Sequence, residues 1–275
     1  MKWAAGVGAA SILLYATAIE PTQISVTNIV FNEGDLSKAL DGCRVAFLSD
    51  LHFRDAGGPA PNLVLRQLDE IQPDLILLGG DFVEWGARGR AYDQALAFLA
   101  GLHAPLGVFA VLGDADATGA RRSCEFCHEP GEPDRTSRHD VTFLRDQAAE
   151  IPARTGTLRI AGLDPKAHSH PDARLRSLIR GSGPTIVLSH SSTSFAEIAA
   201  AREILVLSGD THGGQVWLPT WAWRLLRLLP DPSHPSGLYR EDKKFLYVTR
   251  GIGTSRLPFR LGAPPEIVLF EFRRP

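Results

Sequence analysis

Short apolar runs alternate along the chain with segments of helical spacing. Residues 24–30 alternate apolar and polar side chains, which predicts a half-buried strand. Residues 63–71 and 91–102 repeat apolar side chains at helical spacing. Further apolar runs predict strands at 44–49, 74–78, 107–112, 158–161, 185–188, 204–207, 245–248 and 266–272. This alternation of strands and helices predicts an α/β fold.

Five of the predicted strands end in a cluster that contains Asp or His. The clusters are Asp50-Leu51-His52, Gly80-Asp81, Gly113-Asp114-Ala115-Asp116, Ser189-His190 and Gly209-Asp210-Thr211-His212. In open α/β sheets, ligands bind beyond the carboxyl ends of the strands, so we expect these clusters to converge on one site. One such cluster alone would indicate a turn or a helix cap. Five together favour a site for a pair of divalent metal ions, which carboxylates and imidazoles bind.

The order of these clusters resembles the calcineurin-like metallophosphoesterase family, whose members carry D-x-H, G-D, G-N-H-D/E, a later His and G-H-x-H. Further similarity at residues 39–42, 211–215 and 250–255 is closest to the membrane-anchored branch. The resemblance covers nearly the whole chain after residue 20. It implies a four-layer fold, in which two packed mixed β-sheets are flanked by helices.

The same resemblance implies two metal sites that share one ligand. The first would be formed by Asp50, His52, Asp81 and His212, and the second by Asp81, Asp114, His190 and Asp210. Three positions depart from the family pattern: Asp114 replaces Asn, Ala115 replaces the His that assists the leaving group, and Asp210 replaces the first His of G-H-x-H.

These departures have chemical consequences. Alanine at position 115 cannot protonate a leaving group, and loss of a positioned acid typically costs about 10²–10⁴-fold in rate. Asp116 is then the candidate catalytic residue. The four carboxylates together would offset the charge of two divalent ions and weaken the attraction for phosphate. Oxygen ligands also favour Mn²⁺, Mg²⁺ or Ca²⁺ over Zn²⁺. We therefore expect metal to bind and turnover to be slow.

The N-terminus carries a separate signal. Residues 3–19 contain no charge, and their length of about 17 residues is at the lower limit for a transmembrane helix. Residues 1–20 are predicted to be a transmembrane anchor, and residues 21–275 the metallophosphoesterase-like domain. A cleaved signal peptide is the alternative, because residues 16–18 read Ala-Thr-Ala, and a buried core helix is the third interpretation. Lys2 places the domain on the extracytoplasmic, periplasmic side.

The polar stretch 117–140 is predicted to be an insertion, and it contains Cys124, Cys127 and His128. Their C-x-x-C-H spacing is the attachment pattern of c-type haem, with a His such as His139 as the distal ligand. The same cysteines could instead form a disulfide, bind zinc together with His128 and His139, or remain free thiols.

Residues 217–230 contain three Trp, five Leu and two Arg, a composition that suits a membrane interface. The alternative is an ordinary hydrophobic loop that packs on the sheet.

The formal net charge is -2 and the chain has no basic run, so we expect no nucleic-acid partner. Expected partners are instead membrane lipid or a membrane-protein complex, contacted through residues 217–230 and the N-terminal helix.

Two functions are compatible with these features. The first is a catalytically degenerate metallophosphoesterase-like protein that serves as a structural or docking subunit at a membrane or membrane complex. The second is an active metal-dependent phosphoesterase that hydrolyses a phosphorylated lipid or another phosphoester at a membrane surface. Asp116 or His128 would then take the part of the missing acid.

Overall fold

The computed structural model describes residues 2–87, 89–116, 139–165, 171–181, 183–198 and 203–274. Its strands form two mixed sheets of six strands each. The first sheet has the spatial order β1 (Ser25–Phe31), β12 (Glu266–Phe272), β2 (Arg44–Leu48), β3 (Leu75–Leu78), β4 (Val108–Ala110) and β5 (Val141–Phe143). The second has the order β10 (Gly237–Glu241), β11 (Lys244–Val248), β9 (Ile204–Ser208), β8 (Thr185–Leu188), β7 (Thr157–Gly162) and β6 (Gln147–Pro152). The predicted α/β fold with two mixed sheets is confirmed.

Helices flank the two sheets. They are α1 (Lys2–Leu14), α2 (Gly34–Ala39), α3 (Pro61–Ile71), α4 (Gly89–Ala100), α5 (Pro171–Leu178) and α6 (Thr220–Leu226), with short 3₁₀ turns at Ser192–Glu197 and His212–Gly214. The helix α3 shows how the sequence sets these elements. Pro61 occupies its first turn, where no amide hydrogen is needed, and the helix buries Val64, Leu68 and Ile71 on one side.

Alternation of side chains along the strands separates the core into layers. In β2, Val45 and Phe47 belong to the cluster between the two sheets, whereas Ala46 and Leu48 pack with α3 and α4 on the outer face. A third cluster joins the outer face of the second sheet to α5 and the 3₁₀ turn at Ser192–Glu197. The result is the order helices, sheet, sheet, helices.

Strand direction brings the polar clusters together. The strands β2, β3 and β4 are parallel neighbours in the first sheet, and β8 and β9 are parallel neighbours in the second. Each of the five is followed by one of the clusters that contain Asp or His. Because parallel strands end at the same edge, the five clusters lie at the carboxyl ends of the two packed sheets.

The N-terminal segment differs from the prediction. Among the described residues, no helix combines the length and the apolar character that crossing a membrane requires, so the transmembrane helix over residues 1–20 is not supported. Helix α1 ends at Leu14 and continues as a wider π-helical turn at Tyr15–Ile19 and a 3₁₀ turn at Glu20–Thr22. The end of this segment is fixed to the domain, because Ala16 and Glu20 are buried and the Glu20 carboxylate accepts the Ala263 N–H.

Several elements were not predicted from the sequence. The strands β5, β6 and β10 were missed because they are short or carry mixed polar side chains, and α6 lies inside the segment predicted to face a membrane. Cys124, Cys127 and His128 fall outside the described residues. Their haem, zinc and disulfide interpretations therefore stay predictions.

Candidate metal centre

Five of the predicted ligands have an unusual backbone conformation. Their φ angles are positive, at 55° for Asp50, 45° for His52, 54° for Asp81, 70° for Asp210 and 53° for His212. A left-handed conformation costs a non-glycine residue on the order of 1–3 kcal/mol, and such residues cluster at functional sites. The turns are held by backbone hydrogen bonds, since Asp50 donates to the Gly80 carbonyl and His52 donates to the Asp81 carbonyl, each over 2.9 Å.

The first group of ligands is fully enclosed. The Nε2 atoms of His52 and His212 lie 3.0 Å apart. The Nε2 atom of His212 is 3.5 Å from Asp50 Oδ1, and that of His52 is 3.4 Å from Asp81 Oδ2. All four residues are buried. Their nitrogen and oxygen atoms therefore converge on one small volume.

The second group is centred on His190. Its Nδ1 lies 2.8 Å from the Gly79 carbonyl, to which it can donate a hydrogen bond, and this tautomer leaves a lone pair on Nε2. That Nε2 is 3.5 Å from Asp81 Oδ2 and 3.7 Å from Asp114 Oδ1. The side chain of Asp114 is 55% exposed, and Asp210 is partly exposed. The backbone N–H of Asp210 donates to Asp50 Oδ1 over 3.1 Å.

These separations fit divalent cations. Ligand atoms about 2.0–2.2 Å from one ion lie roughly 3.0–3.6 Å from one another, which matches most of the distances above. Asp81 Oδ2 is nearly equidistant from His52 and His190, as a bridging ligand would be. Among the described residues, Asp50 Oδ2 and His190 Nε2 are buried with no hydrogen-bond partner. Two sets, Asp50-His52-His212 and Asp50-Asp81-His190, are each compact enough to hold an ion.

Burial shifts the pKa values of several groups in the cluster. Burial raises the pKa of Asp50 to about 6 and that of Asp81 to about 8, because a buried carboxylate is costly to ionise. Burial also lowers the pKa of His52 to about 3 and that of His212 well below its usual value. These two neutral imidazoles keep the lone pairs that metal binding requires, whereas the neighbouring Asp81 and Asp114 carboxylates raise the pKa of His190.

Ala115 and Asp116 have different surroundings. Ala115 is fully buried, and its N–H donates to Asp81 Oδ1 over 2.9 Å. The buried Asp116 carboxylate accepts hydrogen bonds from the N–H groups of Phe82, Val83 and Gly113. Its oxygens therefore fasten the turn after β3 to the turn after β4. The acid role predicted for Asp116 stays a prediction, and this geometry favours a positioning role.

Two further residues were not found from the sequence. Glu84 Oε2 is 3.6 Å from His52 Nδ1 and 2.7 Å from the guanidinium of Arg54. At this distance the Glu84 carboxylate makes no hydrogen bond to His52, whose Nδ1 is buried without a partner among the described residues. Arg260 is fully buried, and its guanidinium donates to the carbonyls of Arg250, Gly251, Gly253 and Ala263. Neither residue belongs to a spacing pattern that would single it out.

The candidate haem or zinc ligand His139 is the one member of that set with a described position. It is buried, its Nδ1 accepts the Val141 N–H, and its ring lies 5.9 Å from that of Phe143. This places it at the start of β5, in contact with the core.

Comparisons with known proteins agree with the geometry. Residues 43–214 match the family described as calcineurin-like phosphoesterase. The chain is similar to the metallophosphoesterase YkuE of Bacillus subtilis, with 27% identity over 94% of this chain and 89% of that protein. It is also similar to UDP-2,3-diacylglucosamine pyrophosphatase LpxG of Chlamydia trachomatis, with 28% identity over 94% of this chain and 92% of LpxG. Phosphodiesterase YaeI of Escherichia coli is 29% identical over 83% of this chain and 81% of YaeI.

Proposed function

Because this chain belongs to the calcineurin-like phosphoesterase family, we propose that it is a metal-dependent hydrolase of a phosphorylated lipid or a similar phosphoester at a membrane surface. The observation that carries the proposal is the convergence of Asp50, His52, Asp81 and His212 within a few ångströms of one another. Divalent ions bound there would neutralise charge on the phosphoester and lower the pKa of water.

Each ligand has a stated part in this proposal. Asp50, His52 and His212 would hold one ion, and His190 with the partly exposed Asp114 and Asp210 would hold a second. Asp81 would bridge the two, as its position between His52 and His190 supports. The oxygen-rich second group favours Mn²⁺, Mg²⁺ or Ca²⁺, whereas the imidazoles of the first group also suit Zn²⁺.

The substrate class is supported by the relatives. LpxG, to which this chain is similar over nearly the full length of both, is named as a pyrophosphatase of a diacylated sugar nucleotide. A substrate of that kind presents its phosphates at the surface of a bilayer, beside its acyl chains. We extend this class to the present chain, which would act on such a substrate at a membrane surface.

A second candidate is a degenerate protein that binds metal and serves as a docking subunit at a membrane complex. The environment of positions 115 and 116 favours it. Ala115 has no proton to donate, and the Asp116 oxygens are engaged by backbone N–H groups. The two candidates share the metal centre and differ in turnover.

Turnover therefore separates them. The test follows phosphate products from a diacylated diphosphate lipid in mixed micelles, with added Mn²⁺ and after chelation. Release that requires Mn²⁺ and stops with the chelator supports the hydrolase. A protein that binds Mn²⁺ but releases no product from this lipid, or from aryl phosphodiesters and monoesters, is the degenerate docking subunit instead.

A further inference from the structure

One short segment, residues 260–263, joins two apolar parts of the molecule. On one side it holds the end of the N-terminal helical segment, since the Arg260 N–H donates to the Ala16 carbonyl over 2.8 Å and the Ala263 N–H donates to Glu20 over 2.7 Å. On the other side, the Leu261 N–H donates to the Gln215 carbonyl, and the Trp217 N–H donates to the Leu261 carbonyl. The end of the N-terminal helical segment and Trp217 therefore flank the same four residues.

Large apolar side chains are exposed on both of these parts and on the loop between them. Trp221 and Leu225 of α6 are 69% and 75% exposed, and Leu257 is 67% exposed. Leu257 lies beside these residues, because the Gln215 side-chain amide donates to the Leu257 carbonyl. The Oε1 atom of Gln215 also accepts the Ser255 N–H. We call the following set the apolar face: Ile12, Leu13, Leu14, Trp217, Trp221, Leu225, Leu226 and Leu257.

We propose that the apolar face docks on an anionic lipid surface, with α1 entering the hydrocarbon. The N-terminal helical segment distinguishes lipid from a protein partner. Residues 8–15 are exposed at every position, which covers more than two helical turns, and residues 3–19 contain no charge. A protein groove covers one side of a helix and leaves a polar side facing water. Hydrocarbon covers all sides, as an uncharged helical stretch exposed all round requires.

The charges around the apolar face match anionic headgroups. Arg224 and Arg227 lie in or next to α6, and Arg256 precedes Leu257. All three are exposed, and none has an ion pair with another residue that the structure describes. Arginines beside tryptophan and leucine are typical of surfaces that bind the headgroup region, where the guanidinium contacts lipid phosphate.

The loop that carries this face also supports the metal centre. The Gly253 N–H donates to the Asp50 carbonyl over 2.6 Å, and the Ile252 N–H donates to the Ser49 carbonyl over 3.0 Å. The buried Arg260 guanidinium clamps the carbonyls of residues 250, 251 and 253. Docking would thus bring the metal centre to the headgroups, so that the substrate is taken directly from the bilayer. This last step rests on the proposed hydrolase function.

Vesicle binding of the full chain tests the docking itself. Sedimentation with phosphatidylglycerol-containing and pure phosphatidylcholine vesicles would compare wild type, the double variant Leu225→Glu/Leu257→Glu and the matched control Val30→Glu. Val30 is also an exposed apolar residue, but it pairs with Glu271 near the end of the first sheet that lies away from the metal centre. We expect at least a tenfold loss of binding for the double variant and no loss for the control.

Arg224→Gln should weaken binding to the anionic vesicles about fivefold and leave binding to neutral vesicles unaffected.

A second measurement separates docking from catalysis. If hydrolysis occurs, the double variant should lose activity on a vesicle-borne diphosphate lipid and keep its rate on a water-soluble aryl phosphodiester. Vesicle binding without hydrolysis of either substrate supports docking and contradicts the hydrolase. Wild type that stays in the supernatant with both vesicle types overturns the docking proposal, as does a control variant that loses as much binding as the double variant.

Discussion

The two halves of the metal centre differ in enclosure and in chemistry. Asp50, His52 and His212 are buried, whereas Asp114 and Asp210, which the family resemblance places at the positions of an Asn and a His, are partly exposed. The buried half is constrained by packing on all sides, so that few side chains fit there. The exposed half faces water, which tolerates exchange of an amide or imidazole for a carboxylate. We propose that metal binding depends mainly on the buried half and the rate of hydrolysis mainly on the exposed half.

The bridging residue should show the largest effect. Asp81→Asn keeps the side-chain volume but removes the charge shared between His52 and His190. We expect metal-dependent hydrolysis to fall by about 10³-fold or more, since metal charge stabilisation is worth several kcal/mol. Steady-state kinetics with Mn²⁺ would measure the loss, with the exposed Asp93→Asn as the charge-matched control. A rate within tenfold of wild type would remove Asp81 from the site.

Restoring the acid tests the altered half. Ala115→His introduces the residue that the family resemblance implies at this position, although the site is fully buried and some shift of its neighbours is needed. Because a positioned acid is worth about 10²–10⁴-fold, even a partly accommodated imidazole should raise the rate at least tenfold on an alkyl phosphodiester. Circular dichroism would verify the fold of the variant. A correctly folded variant with no gain would show that proton donation does not limit hydrolysis at this site.

Asp→Asn in each half measures how much that half contributes to Mn²⁺ binding. Asp210→Asn in the exposed half should weaken Mn²⁺ binding by about tenfold, because the side chain is partly exposed and belongs to neither compact ligand set. Asp50→Asn in the buried half should weaken it much more, because Asp50 takes part in both compact ligand sets. Isothermal titration of the two variants gives both affinities. Equal losses of Mn²⁺ affinity in the two variants would show that the two halves contribute equally to metal binding.

Asp116 should affect stability rather than chemistry. Asp116→Asn places an amide NH₂ against three backbone N–H groups that now bind a carboxylate. Loss of buried acceptors costs about 1–3 kcal/mol, which chemical denaturation would measure. If Asp116 were the catalytic acid, the variant would instead keep its stability and lose the basic limb of its pH–rate profile.

The sequence predicted the strand-end clusters well because their signal is local. Each apolar run ends in a polar cluster, and parallel pairing brings Asp50 and Asp81 to one edge of the first sheet, whereas His190 reaches them only because the second sheet packs against the first. Contacts that depend on distant loops could not be predicted. Arg260 and Glu84 carry no pattern, and their roles arise only when loops far apart in the chain meet at the site.

For the N-terminal segment, composition alone gave a prediction that the structure does not support. Its lack of charge predicted a spanning helix, but hydrophobicity alone does not indicate where a helix meets the domain. The buried contacts of Ala16 and Glu20 fix that junction, and they were visible only in three dimensions. The exposed apolar residues of α1 remain, which is why a lipid surface replaces the spanning anchor in our proposal.

Thermal unfolding of wild type and Asp81→Asn with and without divalent cations tests whether the converging Asp and His side chains form a metal site. At a Mn²⁺ concentration of about 100 times Kd, binding should stabilise the wild type by about 2.7 kcal/mol. That gain corresponds to a rise of roughly 5–10 °C in Tm for a chain of this size. The Asp81→Asn variant should show a much smaller rise. An unchanged Tm of the wild type with Mn²⁺, Mg²⁺, Ca²⁺ and Zn²⁺ would show that these side chains do not form a metal site. An equal rise in the variant would show that Asp81 is not one of its ligands.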